Sequence, residues 1–198
     1  QMYARAQELI KPNIEGDKSD FAGALQWLTR AAEGGWCRAQ LDLGGIYLQG
    51  GKGVQADPSK AFDWFSKAAA QGSAEAEFYL GHILFNGLGR PADKTAATVH
   101  WQKAAAAGIG EAQYRLAHLM LQATDTQAEG VELLQKAADD KSPKLAAQAA
   151  CDLGNIFAKG LHGVTADMGQ AAEWYSRAAT GGNPRAQLVY AIMLLSGE

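Results

Sequence analysis

Two histidines, His82 and His118, stand 36 residues apart in a chain of 198, and each follows an alanine, Ala76 or Ala112, by six residues. If the chain repeats at that interval, the imidazoles occupy one position of consecutive units, and two such rings facing each other are the beginning of a zinc site. No third ligand of the right type accompanies them, so no metal is expected and they read as recognition-surface side chains. Asp20, Asp57, Asp93 and Asp167 invite acid–base chemistry, but each precedes a helical pattern and they are separated by whole units. Capping of helix starts accounts for them better than a carboxylate pair does. Lys52 lies among glycines, yet Ile46 stands where a P-loop has its first Gly, and no Ser or Thr follows the Lys. HExxH, CxxC and GxSxG patterns are absent from the sequence. The expectation is a chain without catalytic residues or a cofactor.

Helices in pairs must carry these residues. Ala39/Leu43/Gly44, Ala76/Leu80/Gly81, Ala112/Leu116/Ala117, Ala149/Leu153/Gly154 and Ala186/Tyr190/Ala191 recur at steps of 37, 36, 37 and 37 residues, a period that belongs to stacked helical hairpins. A second phrase runs half a period behind. Its basic residue is Arg30, Lys67, Lys103, Lys136 or Arg177; three residues earlier stands Trp27, Trp64, His100, Leu133 or Trp174; seven before that stands Asp20, Asp57, Asp93, Thr126 or Asp167. The last set has the chemistry of N-caps. Helix A is expected from about Ala39 to Gln49, a loop over 50–54, and helix B from near Asp57-Pro58 to near Gly72. Pro58 suits a first helical turn, and Gly35, Gly72, Gly108 and Gly182 suit left-handed C-caps. The Trp column reads as core, with His100 a packing variant within it. The basic column reads as a complement to the helix dipole whose stems cover apolar surface. His162 is expected to be solvated, and Trp36, outside the pattern, to mark a contact on the outer edge.

The run A-x-x-x-L-G-x-x-Y-x-x-G at Ala39, Leu43, Gly44, Tyr47 and Gly50 continues through Asp57, Lys60-Ala61, Trp64, Lys67-Ala68-Ala69 and Gly72 to Ala76. It resembles the Sel1-like repeat family, a relative of the tetratricopeptide repeats with a longer inter-helix loop. The resemblance covers nearly the whole chain. It implies an all-α, right-handed superhelical solenoid of antiparallel helix pairs forming a single domain over 1–198. A degenerate first unit would occupy about 1–35, repeats about 36–72, 73–108, 109–145 and 146–182, and a partial repeat 183–198. Between Leu116 and Lys136 the Gly-rich loop gives way to Gln122-Ala123-Thr124-Asp125-Thr126, about four residues shorter, while Lys141 to Gln148 is longer by about as much. A locally altered superhelix is expected there. Beginning inside a degenerate helix, Met2 to Ile10, and stopping at Gly197-Glu198 where a loop should start, the chain reads as an excised or processed piece.

With 47% hydrophobic residues the chain can bury a thin continuous core through neighbour contacts. No apolar run approaches the roughly 18 residues of a membrane span. The net charge of −3 is scattered, without clusters of Lys or Arg, so neither nucleic-acid binding nor direct membrane insertion is expected. Cys37 and Cys151 lie three layers apart, on the order of 30 Å at about 10 Å per layer, and are expected to remain thiols. The paired cysteines of secreted relatives are missing, yet the resemblance still inclines slightly toward a bacterial periplasm or envelope location. A monomer is expected.

Taking 100° per residue from the recurring Ala, positions +4, +5 and +8 centre on the core, so −1, +2, +3, +6 and +10 form the opposite face. These columns vary between units while the core columns hardly change. The resemblance implies that this face lines the inner, concave wall. The partner-binding candidates are Glu75, Phe78, Tyr79, His82, Asn86, Glu111, Tyr114, Arg115, His118, Gln122, Asp152, Asn155 and Lys159. Aromatic and Arg side chains are the composition of binding hot spots, although Phe78 and Tyr114 are equally readable as inter-layer packing. The expected function is a non-enzymatic scaffold holding a protein or peptide partner. The family's bacterial inhibitors give it one concrete form, an immunity protein against a secreted toxin or effector. The alternative is a carbohydrate or cell-wall-fragment binder with hydrolytic capacity, built on Glu75 and Glu111 beside Phe78 and Tyr114.

Overall fold

The computed structural model describes Met2, Ala4, residues 21–51 and residues 53–196. Apart from Met2 and Ala4, the expected first helix lies outside these, as do the Asp20 cap and Lys52. Among the described residues the chain is all-α, with ten helices in sequential antiparallel pairs: α1 (Phe21–Glu33), α2 (Cys37–Gln49), α3 (Pro58–Ala70), α4 (Ala74–Asn86), α5 (Lys94–Ala106), α6 (Gly110–Met120), α7 (Gln127–Ala138), α8 (Pro143–Lys159), α9 (Met168–Thr180) and α10 (Pro184–Ser196). Backbone contacts group them into two compact units, Gln1–Lys103 and Ala104–Glu198.

Local chemistry sets the helix ends. Asp57, Asp93 and Asp167 each accept a hydrogen bond from the backbone N–H three residues on, at 3.0, 2.9 and 2.9 Å. Thr126 departs from the expectation: its hydroxyl donates back to the Met120 and Ala123 carbonyls, at 2.8 and 3.3 Å, and leaves the start of α7 without a side-chain cap. The shortened loop brings those carbonyls within its reach. Gly35, Gly72, Gly108 and Gly182 have φ of 87°, 87°, 86° and 85°, the left-handed backbone that follows α1, α3, α5 and α9, whereas α7 passes into Asp139 at φ −99°. His162 adopts φ 56° in its loop and is half-buried rather than fully solvated.

The buried column of helix B lies one residue beyond the tryptophans. Leu28, Phe65, Trp101, Leu134 and Tyr175 are at most 4% exposed, whereas Trp27, Trp64 and Trp174 are half-buried at the edge of the core. The basic residue one turn on covers each of those rings: Arg30, Lys67 and Arg177 sit 5.1, 3.9 and 4.7 Å from the ring centres. The true core column is therefore a ring or a Leu, and it explains the recurring Gly of helix A. A methyl group on Gly44 would lie 2.7 Å from Phe65 Cε1, on Gly81 2.4 Å from Trp101 Cδ1, and on Gly154 2.8 Å from Tyr175 Cδ1. In the third pair the close approach changes sides. Helix A carries Ala117 and helix B the smaller Leu134, while Gly130 on α7 now admits Leu121, whose Cγ would stand 3.0 Å from an added methyl.

Gln40, Gln113 and Gln187, one residue after the recurring Ala, donate from Nε2 to the carbonyls of Ala32, Ala105 and Ala179 at 3.0, 3.1 and 3.2 Å. They tie each helix A to the end of the helix before it. Where this column holds Glu77, the carboxylate instead accepts from His100 Nδ1 and, at 3.3 Å, from Lys103 Nζ. His100 thus does more than fill the tryptophan position: its ring hydrogen-bonds Glu77 on the neighbouring helix. Where the column holds Ala150, Arg177 Nη2 reaches the Ala138 carbonyl at 3.2 Å and Asp139 at 2.8 Å.

In the second unit the loop shortening and the later lengthening cancel. Thr126 follows Ala112 by 14 residues where Asp57 follows Ala39 by 18; Ala149 follows Thr126 by 23 where Ala76 follows Asp57 by 19. The four added residues become helix: α8 has 17 residues against the 13 of α2, α4 and α10, one turn at 3.6 residues per turn.

Candidate functional site

In the first unit the candidate side chains lie on α4. Tyr79 stacks on the core ring of Phe65, centroids 4.7 Å apart and planes at 11°, and Phe78 meets Tyr79 edge-on at 5.3 Å. Both are half-buried, so they form an aromatic ledge continuous with the core. His82 is half-buried as well, and its carbonyl accepts from Asn86 Nδ2 at 2.8 Å. Exposed Glu75 lies 3.8 Å from Arg38, which also holds Asp42 at 3.1 Å.

The second unit gathers more. Tyr114 on α6 donates from its hydroxyl to Asp152 Oδ2 on α8 at 2.8 Å, and His118 Nε2 lies 3.2 Å from that same oxygen. The two rings meet edge to face, centroids 4.5 Å apart. Burial first, then the bond to Asp152 and its charge, push the Tyr114 phenol well above the ordinary tyrosine range. Arg115 pairs with Glu111 at 2.9 Å, one helical turn away. Asn155 faces inward, donating to the Cys151 carbonyl at 2.8 Å and accepting from the Tyr175 hydroxyl at 3.1 Å. Cys151 is 2% exposed, and burial, with the charge of Asp152, raises its thiol. Lys159 and Gln122 are exposed, at and beyond their helix ends.

Tyr114, Asp152 and His118 thus form one rung across two neighbouring helices. The column pattern places all three on one face but does not pair them. The signal was available: Tyr114 is in the +2 column, and Asp152 is in the +3 column one repeat later. Glu75 and Glu111, the carboxylates of the carbohydrate alternative, are both engaged by arginines. A rung of this kind can hold and orient hydrogen-bonding groups. Neither cysteine forms a disulfide, and among the described residues no helix is long and apolar enough to cross a membrane.

The Sel1 repeat family model matches residues 14–36, 37–73, 74–109, 110–142 and 147–183. The chain belongs to the Sel1 repeat family. Its Sel1 repeats superpose on c5321, a protective antigen of uropathogenic Escherichia coli with this fold, with a TM-score of 0.85 and 27% identity; the match covers 99% of this chain and 41% of that one. The immunity protein Pa5087 of Pseudomonas aeruginosa shares the fold at a TM-score of 0.58 and 22% identity, over 93% of this chain and 66% of its own. Chitin synthase regulatory factor 3 of Schizosaccharomyces pombe is 34% identical over 92 residues, which is 44% of this chain and 10% of that protein. The Sel1 chain therefore spans less than half of the antigen and a small part of the regulatory factor.

Proposed function

We propose that this Sel1 repeat chain is a non-enzymatic scaffold that holds a protein partner on the variable face of its A helices. The observation that carries the reading is the rung of Tyr114, His118 and Asp152, fixed by two hydrogen bonds to one carboxylate oxygen. Such pre-ordering lowers the entropic cost of association, and a half-buried Tyr beside Arg115 has the make-up of a hot spot. A finer form is inhibition of a toxin or effector, in the manner the name of the Pseudomonas immunity protein implies for that protein; this is fold-level analogy.

The test is affinity capture from lysate and envelope fractions of the source cells. Wild type is compared with a His82→Ala/Tyr114→Ala/His118→Ala variant shown by circular dichroism to keep its helices. A protein retained by wild type and lost by the variant supports the face as the interface. Equal retention by both refutes it.

A further inference from the structure

Positions −1 and +3 of each helix A are one turn apart, and comparing the units shows what Asp152 lacks. In the first unit Asp42 at +3 is held by Arg38 at −1, 3.1 Å away. At the start of the second unit the signs are reversed, with Arg115 at +3 held by Glu111 at −1 at 2.9 Å. On α8 the +3 residue is again an acid, Asp152, but the −1 residue is Gln148, which brings no charge. Among the described residues no Lys or Arg forms an ion pair with Asp152; its partners are the Tyr114 hydroxyl and His118 Nε2, both on Oδ2. His118 balances the carboxylate charge only when its imidazole is protonated. Asp152 is only 22% exposed, so its charge is screened less than one at the open surface. The second oxygen, Oδ1, accepts no hydrogen bond among the described residues, and the rings of Tyr114 and His118 stand beside the carboxylate.

From this arrangement we infer that Asp152 is the seat for a Lys or Arg side chain of the protein partner, which supplies the basic group that no Lys or Arg among the described residues provides. A carboxylate fixed through one oxygen keeps the other for charge-assisted hydrogen bonds from a guanidinium or ammonium group. The inference rests on the scaffold reading for the identity of the partner. The geometry of Asp152 stands by itself.

The experiment is a titration of the intact chain with the peptide Ac-Gly-Arg-Gly-NH2, followed by NMR shifts of the His118 imidazole and Tyr114 ring. The peptide with citrulline for arginine, equal in shape and neutral, is the control. Saturable shifts with the arginine peptide are expected, at least fivefold weaker with citrulline and at least fivefold weaker in Asp152→Asn. Asn retains an acceptor for Tyr114, so this variant is expected to fold. Gln148→Arg, which restores the internal pair, is expected to block the peptide with Asp152 intact. Equal response to arginine and citrulline, or unchanged affinity in both variants, overturns the inference. If the arginine peptide binds as described while the alanine variant of the capture experiment retains every protein, the scaffold reading has failed and the cation seat has not.

Discussion

Gly44→Ala tests the packing rule on which the helix pairs rest. The new methyl would lie 2.7, 2.8 and 3.0 Å from three atoms of the Phe65 ring, whose movement is limited by Tyr79 stacked on it at 4.7 Å. Overpacking of this kind costs about 1–3 kcal/mol, and replacing a mid-helix Gly returns about 1 kcal/mol. The net loss is then about 0–2 kcal/mol. Phe65→Leu alone should cost a similar amount, about 1–2 kcal/mol, from lost buried area and an incompletely closed cavity. Combined, the two changes recreate the Ala117 and Leu134 pairing of the second unit, both of which are buried in one cluster. The double variant is expected to be no less stable than Phe65→Leu alone, and the coupling then equals the relieved overpacking, about 1–3 kcal/mol. Urea unfolding followed by circular dichroism measures it, with the m-value checked for constancy across the four proteins. Effects that add to within about 0.5 kcal/mol would refute the idea that the Gly is there for the ring.

Three further outcomes are expected. In alkaline spectrophotometric titration Tyr114 should ionise above the ordinary tyrosine value, because its phenol is raised chiefly by burial; its stabilising contribution is complete below the unfolded value near 10 and is lost as pH rises beyond it. Asp152→Asn should move that titration part of the way back, and an unchanged curve would contradict the assignment. Asp57 and Asp167 have lowered carboxyl pKa values, chiefly from the backbone N–H groups of Lys60 and Gln170. Their contribution is present above the unfolded value near 3.9 and fades as pH falls through the lower folded values, so the Tm gap between wild type and Asp57→Ala/Asp167→Ala should narrow below about pH 4. A thiol reagent should label half-buried Cys37 well before Cys151, which is 2% exposed and whose thiol is raised by burial. Equal rates would exclude that order.

The helical pairs were legible in the sequence because small residues in helix interiors and Gly after helix ends recur at fixed intervals. The core column was misread by one residue. Trp27, Trp64 and Trp174 are constant in type, and constancy pointed to the core, but their rings lie at its edge under a basic side chain. The buried column mixes Leu, Phe, Trp and Tyr, and only the facing Gly reveals it. The aspartate caps were legible because capping is local; Thr126 was not, because its hydroxyl turned to carbonyls that a shortened loop had brought near. At the candidate site the i,i+4 pair of Glu111 and Arg115 is visible in the sequence. The bond between Tyr114 and Asp152 spans 38 residues and depends on how far adjacent A helices are offset, which no single repeat encodes.

The cancelling loop and helix changes in the second unit imply a rule for shuffling repeats. Ala112 and Ala149 stay 37 residues apart although four residues have moved from the loop before α7 to the start of α8. A crossover placed at equivalent alanines exchanges whole bricks of equal contour. One placed between Thr126 and Pro143 inherits the short loop without the added turn, or the turn without the short loop, and shifts everything after it by a helical turn. Recombination among such repeats is therefore phase-locked to the alanine column, and grafted or duplicated repeats should be cut there.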